Sequence, residues 1–176
     1  GATSSSAGGA NGPDVVAPTV DSLQVVGHTT LAFGESQHAI RFAGERAYVV
    51  TFREHDPLYI VDLSTPTNPF TAGQIWLPGY STYLHDLGNG RLLGVGVDGP
   101  TDPSLKLAVF DVSDPSWATV VSENVVPGSR SLAESEHHAF AWLGNEAALP
   151  VSGQESGVLL ASMQDGYLTS TDTVGT

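Results

Sequence analysis

The chain has 176 residues, 40% of them hydrophobic, which is typical of one globular domain with a sizeable core. Its 19 acidic against 6 basic side chains give a formal net charge of −13, which disfavours nucleic acids and anionic membranes as partners. The composition contains no cysteine, so disulfides and thiolate metal sites are excluded, and no apolar run is long enough to span a bilayer. We therefore expect neither nucleic-acid binding nor membrane insertion.

Residues 1–20 are predicted to form a flexible linker, because the chain starts with a run of Gly, Ala, Ser and Thr. This start has neither the charged head nor the apolar centre of a signal peptide, which fits the remnant of a processed or trimmed precursor. Residues 21–176 are predicted to form the folded domain. Its first strand is expected within Asp21–Phe33, where β-branched residues alternate roughly with others.

The next part of the chain repeats a pattern of short apolar segments separated by turns. In the first copy, strands are predicted at 39–42, 47–52, 58–63 and 71–77. In the second copy, Asn89-Gly90 is a strong hairpin signal between two strands, and Leu105–Val112 matches the third strand of the first copy. Both copies end at a Pro-Gly pair, and such turn residues separate strands because they supply a fixed or a positive φ.

The third copy aligns with the first without a gap, from His138–Ala147 over His38–Ala47. This match predicts a strand after His138, and the tail from Tyr167 is predicted to belong to the fourth strand of the copy. A competing interpretation makes Ser129–Gly144 a helix, because it contains fair helix formers and begins with a serine. The match with the first copy favours strand.

The copies begin near His38, His85 and His138, so the period is about 50 residues with four short strands in each, as in β-propeller blades. The predicted fold is therefore all-β, a β-propeller arc of about three four-stranded blades. A closed ring takes about 4–8 blades. We expect the chain to be a fragment of a larger propeller, with the remaining blades of the parent chain, or a self-associated copy, covering the open faces.

Three segments carry a resemblance to a known family: Arg46–Arg53, Asp56–Ser64 and Pro78–His85. They are similar to predicted secreted β-propeller proteins of bacteria and archaea, which are distantly related to WD-type propellers. Glu136–Phe140 resembles the family's Asp-His-Lys-Ala-Phe segment, with His138 in place of the usual lysine and His137 at the family's histidine. His38 stands where an aromatic or apolar residue is expected. The resemblance covers about residues 34–165 and implies the fold and export, but no particular activity.

The recurring histidines are the strongest candidates for a site. If His38, His85 and His138 occupy equivalent positions of successive blades, their imidazoles converge at the mouth of the central channel and suit zinc or copper. His137 is an alternative to His138. Three acidic residues lie near enough in sequence to serve as further ligands or as hydrogen-bond acceptors: Glu35, Glu134 and Glu136. The competing interpretation is that each histidine bonds the backbone at a blade corner.

Other chemistry is poorly supported. Asp98, Asp102 and Asp114 do not form a calcium loop and are better explained by loop solvation and turn capping. No serine elbow, phosphate loop, dinucleotide fingerprint or His-Glu-x-x-His pair is present, so no catalytic residue is predicted. The tryptophans are expected to pack between blades, although one near the channel could stack on a sugar ring.

These observations predict a non-enzymatic, exported scaffold, secreted or held in the cell envelope, that binds a protein or small ligand at the cell surface. The alternative is a metal-binding protein or metal-dependent enzyme with a histidine site at the propeller axis. In that case the cofactor is a divalent metal, zinc or copper, held by His38, His85 and His138 or His137.

Overall fold

A computed structural model describes residues 2–5, 12–18, 23–31, 36–52, 56–77, 79–99 and 103–175. The described chain is built almost entirely of antiparallel β-sheet, which confirms the predicted all-β class. Sheet I contains β1 (Ala2–Ser5), β2 (Gly12–Pro18) and β3 (Leu23–His28). Sheet II contains β4 (Ser36–Ala43), β5 (Arg46–Phe52), β6 (Asp56–Asp62) and β7 (Phe70–Leu77).

Sheet III contains β8 (Tyr80–Gly88), β9 (Arg91–Val97), β10 (Leu105–Asp111) and β11 (Thr119–Val126). Sheet IV contains β12 (Ser129–Ser131), β13 (Ala141–Trp142), β14 (Glu146–Gly153), β15 (Gly157–Gln164) and β16 (Tyr167–Val174). Short 3-10 helices lie at Pro115–Trp117, Leu132–Glu134 and His137–Ala139. In the described residues, no helix is long and apolar enough to cross a membrane.

Sheets II, III and IV correspond to the three predicted copies. In each, the strands follow one another across the sheet in chain order, with β12 and β13 both pairing with β14 in sheet IV. The predicted four strands of the first copy, and the tail strand of the third, are all present as β4–β7 and β16. Their tight turns use residues with positive φ, among them Asn89-Gly90 and Asp165-Gly166.

The chain divides into two compact units. Unit 1 comprises Gly1–Leu77 with Pro115–Trp117 and holds sheets I and II. In sheet II, Ala47, Val49 and Val61 form one cluster of fully buried apolar residues. Unit 2 comprises Pro78–Asp114 with Ala118–Thr176 and holds sheets III and IV.

In unit 2, sheets III and IV bury one continuous core between them. Alternate residues of β10 point into it, and Leu105, Leu107 and Val109 are completely buried there. Sheet IV contributes Leu149 and Leu159, which are almost as fully covered. Burying a leucine side chain of this kind contributes about 1.5–3 kcal/mol. The two sheets are therefore held together by apolar packing.

The start of the chain contributes two strands to sheet I. Its described parts are β1 and β2, which pair antiparallel with one another, and β2 pairs with β3. Val15, whose partner in β3 is Gly27, is buried. The Gly, Ala and Ser content of this segment favours a linker. The β-branched Val15 and Val16 instead favour a strand once a neighbouring strand is available.

A polar corner recurs where the second strand of each copy begins. Arg46 lies opposite Asp62 in sheet II, and Arg91 lies opposite Asp111 in sheet III, where their side chains form an ion pair of 2.7 Å. Glu146 lies opposite Ser162 in sheet IV and accepts a hydrogen bond from its hydroxyl group at 3.1 Å. The corner is therefore preserved in sheet IV by a different polar pair.

Each aspartate of this corner also closes the turn that follows its strand. Oδ1 of Asp62 accepts from the backbone N–H of Ser64 at 2.8 Å and from its hydroxyl group at 2.5 Å. Asp111 accepts from Ser113 in the same way, at 3.0 and 2.6 Å. Both aspartates therefore cap the turn backbone two residues further along the chain. The hydrogen bonds from the serine hydroxyl, then from the backbone, lower the pKa of both carboxyl groups.

This arrangement predicts how stability depends on pH. A lowered pKa in the folded state means that Asp111 contributes stability that is complete above its ordinary pKa of 3.8 and is lost as the pH falls through the lower, folded-state value. We expect Asp111→Asn to flatten this acid dependence and to cost about 1 kcal/mol at neutral pH. Urea unfolding at a series of pH values measures both effects, with the exposed Asp172→Asn as control. An acid limb unchanged by Asp111→Asn would contradict the assignment.

Candidate functional site: an aromatic and imidazole cluster

The structure places the predicted histidines in different surroundings. His38 lies in β4 where the pairing with β5 shifts register, and its side chain is outside the part of the chain that the structure describes. His85 lies in the middle of β8 and is half-buried. His137 and His138 are exposed in a 3-10 helix between β12 and β13.

Strand pairing shows that the histidines do not share one position. His85 lies opposite Leu93, which is the second residue after Arg91 in β9. The corresponding residue of β4 is Arg41, which lies opposite Tyr48, two residues beyond Arg46. The histidine spacing therefore does not follow the strand register between sheets II and III. A spacing between like residues cannot reveal this, because loops of different length displace side chains along a strand.

The sequence match between the first and third copies correctly gives the pairing of β13 with β14, but it does not give where β13 begins. Trp142 lies opposite Ala147, as Phe42 lies opposite Ala47. His137 and His138, however, form a 3-10 turn instead of a continuous strand. Ser129–Gly144 is not an α-helix either, since its two helical segments are single 3-10 turns of three residues each.

Five rings of unit 2 form an aromatic cluster: Tyr83, His85, His137, Phe140 and Trp142. The ring centroid of Tyr83 lies 4.8 Å from that of Phe140 and 5.3 Å from that of His137. His85 lies 5.0 Å from Phe140 and 5.2 Å from Trp142. The tilted planes and these spacings are favourable for ring pairs.

Two elements of unit 2 supply these rings. Tyr83 and His85 are two residues apart in β8, so they project from the same face of the strand. His137, Phe140 and Trp142 come from the segment that runs from the 3-10 helix His137–Ala139 into β13. Tyr83, Phe140 and Trp142 also pack against the core of unit 2. The cluster is therefore anchored on one side and accessible to solvent at its imidazoles.

The segment that carries His137 is held by a second polar structure. Ser131 and Glu134 form a capping box, in which the carboxylate of Glu134 accepts from the backbone N–H of Ser131 at 2.7 Å. Nε of Arg130 donates to Oε2 of the same carboxylate at 2.9 Å, and Nη2 donates to it at 2.5 Å. These bonds to Glu134 raise the pKa of Arg130. Both carboxylate oxygens of Glu134 are therefore occupied in positioning this segment.

Glu136 and His138 form a separate exposed pair. Oε1 of Glu136 lies 2.9 Å from Nδ1 of His138 and 3.3 Å from its backbone N–H. The hydrogen bond with the His138 side chain, and to a smaller extent the one with its backbone N–H, lower the pKa of Glu136. The His138 side chain is 97% exposed, so it points away from the aromatic cluster into solvent.

The structure therefore brings His85 and His137 into one cluster, in contact with Tyr83, and leaves His138 outside it. Nδ1 of His85 lies 3.5 Å from the hydroxyl oxygen of Tyr83. Among the described residues, no group of three or more His, Cys, Asp or Glu side chains is arranged to hold a metal ion. The predicted metal site that includes His38 stays a prediction, because the His38 side chain is outside the described residues.

The histidine spacing alone does not predict the aromatic residues of the cluster. Tyr83 and Phe140 lie two residues from His85 and His138 in the sequence, and the alternation of Tyr83 and His85 along a strand is the signal that could have found them. Together the rings offer π faces for stacking and imidazole nitrogens for hydrogen bonds. Such a surface suits recognition of a ring, an apolar side chain or a cation.

Sheets II and III have four antiparallel strands and sheet IV has five, their strands follow one another in chain order, and sheets III and IV pack face to face within unit 2. These features define a protein of the β-propeller class. The model of the family described as Beta propeller domain matches residues 10–173. The chain belongs to this family, and the predicted propeller blades are confirmed.

Similar proteins occur in archaea. The chain is 43% identical over 121 residues to an uncharacterized protein of Methanocaldococcus jannaschii, covering 68% of this chain and 19% of that protein. It is 34% identical over 152 residues to an uncharacterized protein of Archaeoglobus fulgidus, covering 85% of this chain and 22% of that protein. The chain thus spans about a fifth of the length of these curated relatives.

The structure is also similar to that of a europium-containing methanol dehydrogenase. The match covers 78% of this chain and 26% of the dehydrogenase, with a TM-score of 0.47 and 14% sequence identity.

Proposed function

We propose that this chain is part of an exported β-propeller scaffold that binds a protein or small ligand at the cell surface and catalyses no reaction. The aromatic cluster is the observation that carries the proposal. It lies on β8, the first strand of sheet III, and on the segment leading into β13, which pairs with β14 as the first strand β12 does. In a closed propeller the first strands of the blades border the central channel, where ligands are commonly bound.

The composition of the cluster supports a role in recognition. Tyrosine, tryptophan and phenylalanine are enriched in binding surfaces, because they offer a large contact area for little loss of side-chain entropy. The exposed His137 adds a donor or acceptor at the edge of the rings. Export is supported by the resemblance to secreted propellers and by the net charge of −13, which suits a solvated extracellular surface.

Photo-crosslinking in the producing cells tests this proposal. We expect a photoreactive residue at His137 to form one discrete adduct in the envelope or secreted fraction, and the Trp142→Ala exchange to remove most of it by truncating the cluster. The matched control carries the photoreactive residue at Leu143, which is 62% exposed in the same unit. Equal labelling at both positions would contradict a specific site, and recovery of the protein only from the cytosol would contradict export.

A divalent metal is the second candidate ligand, as the recurring histidines of the sequence predict, and two of these histidines, His85 and His137, lie beside Tyr83. Within unit 2, zinc or copper would be held by the imidazoles of His85 and His137. Metal analysis of the purified protein, repeated on a variant with His38, His85 and His138 changed to alanine, tests it. Absence of stoichiometric metal would contradict a metal site at these histidines. Metal binding that is unchanged by the three substitutions would contradict it as well.

A further inference from the structure

A cavity separate from the aromatic cluster lies between two turns of unit 2. Its volume is about 400 Å³, and six residues line it: Leu87, Gly88, Asn89, Arg91, Asp165 and Gly166. We refer to it as the turn pocket. This volume falls within the range of about 300–1,000 Å³ that is usual for small-molecule sites. None of its lining residues belongs to the aromatic cluster.

The walls of the turn pocket are two tight hairpin turns of fixed geometry. Asn89 and Gly90 join β8 to β9 with φ of 52° and 71°, and Asp165 and Gly166 join β15 to β16 with φ of 53° and 76°. Positive φ at both central residues is the geometry of a type I′ turn, whose twist matches that of the strands it joins. The backbone that carries Asn89 and Asp165 is therefore fixed before a ligand arrives.

Arg91 forms the connection between the two walls. Its guanidinium group lies 5.1 Å from the ring centre of Tyr167 and pairs with Asp111 at 2.7 Å. A Cβ atom on Gly166 would lie 3.0 Å from Cγ of Arg91, so the glycine lets the arginine stem lie directly against the turn. The arginine side chain is only 18% exposed, so it is part of the pocket wall rather than a mobile surface group.

The side chains of Asn89 and Asp165 have no bonding partner in the described part of the chain, although both line the pocket. Asn89 offers an amide that donates and accepts, Asp165 offers two acceptor oxygens, and Arg91 offers N–H donors. An anionic ligand would meet the carboxylate of Asp165. A cationic ligand would meet the guanidinium of Arg91. A neutral molecule with several hydroxyl groups satisfies all three, because each hydroxyl both donates and accepts.

We propose that the turn pocket binds a single neutral sugar ring, such as a free monosaccharide or one residue of a glycan. The hydroxyl groups donate to Asp165, exchange hydrogen bonds with Asn89 and accept from Arg91. One ring in an open pocket of this kind binds weakly, with a dissociation constant on the order of 1 mM. The inference goes beyond the proposed function, because it concerns a different surface and a defined ligand class.

Amide chemical shifts of the full chain, recorded during titration with methyl glycosides of glucose, mannose and galactose, test the proposal. We expect one of these probes to shift the amides of Asn89, Asp165 and Gly166 saturably. Asn89→Asp and Asp165→Asn should each weaken binding about tenfold, since the first removes the amide donors and the second replaces a carboxylate acceptor by a donor, while each keeps a residue that tolerates positive φ. Asn145→Asp, in an exposed turn of the same unit, should have no effect.

Spermidine and inorganic phosphate serve as cationic and anionic probes in the same experiment. Shifts confined to other parts of the chain, or no saturable shift with any glycoside, would overturn the proposal. Tighter binding of spermidine to Asn89→Asp than to the unchanged protein, without binding of any glycoside, would make the pocket a cation site and overturn the sugar assignment. Loss of the shifts in both pocket variants, with unchanged spectra elsewhere, is the supporting result.

Discussion

Replacing Gly96 by alanine is expected to destabilise unit 2 by about 3 kcal/mol, at the upper end of the usual cost of overpacking. Gly96 lies in β9 opposite Ser81 of β8. An added Cβ atom would collide with the carbonyl oxygen of Tyr80 and lie 2.7 Å from Cα of Ser81. Because these are backbone atoms, no side chain can move away, and β8 itself must shift.

The same substitution is expected to disrupt the aromatic cluster, since β8 carries Tyr83 and His85. Trp142 reports on this directly once the exposed Trp76 and Trp117 are replaced by phenylalanine. Urea unfolding followed by Trp142 fluorescence gives the change in the free energy of unfolding, and near-UV circular dichroism gives the state of the rings. We expect a lower midpoint and a weakened near-UV signal.

Gly99→Ala is the matched control for this experiment. Among the residues that the structure describes, no atom lies within 4 Å of a Cβ atom built on Gly99, so the change in stability should stay below about 0.5 kcal/mol. If the Gly96 and Gly99 variants had equal midpoints, the close approach of β8 to β9 would not be needed for the fold of unit 2.

Truncating Leu107 to alanine is expected to destabilise unit 2 by about 2–5 kcal/mol, through lost apolar burial and the cavity left behind. Leu107 is completely buried in the middle of β10, in the core shared by sheets III and IV. A typical domain has a free energy of unfolding of about 5–15 kcal/mol, so this loss is a large part of the total. The packing of sheet IV on sheet III should therefore weaken as a whole.

The measurement is again urea unfolding followed by Trp142 fluorescence. Leu132→Ala makes the same chemical change at a side chain that is 58% exposed in the same unit, and it should alter the free energy of unfolding by less than about 0.5 kcal/mol. Similar effects of the two substitutions would contradict a common core that depends on β10. Protection of β14 and β15 amides from hydrogen exchange should fall in Leu107→Ala only.

Much of the fold could be predicted from local sequence alone. The turn at Asn89-Gly90, the Pro-Gly pairs that end the first two copies and the apolar segments between them locate most strands of sheets II and III. These signals are local, since a turn needs particular φ values and a buried strand needs apolar residues. The bonding of Asp62 and Asp111 to the serine two residues later was predictable for the same reason.

The start of sheet IV could not be predicted in the same way. The match of His138–Ala147 with His38–Ala47 predicts a strand, and the composition of Ser129–Gly144 allows a helix. The segment instead forms 3-10 turns, because Ser131 and Glu134 cap one turn and Glu136 caps the next. A strand pattern does not describe the hydrogen bond from Arg130 to Glu134 within the segment, nor the one from the Ser131 hydroxyl to the carbonyl oxygen of Pro150 in β14.

The sequence by itself determined the class of the protein, an all-β repeat with about four strands per copy, and identified histidines as candidate site residues. Only the tertiary structure decided which of them lie together. His85 and His137 are separated in the chain by strands β9 to β12, yet both contact Tyr83. His138, which follows His137 directly, is exposed to solvent. The physical reason is that strand register and the packing of sheet IV on sheet III set side-chain positions, and residue spacing encodes neither.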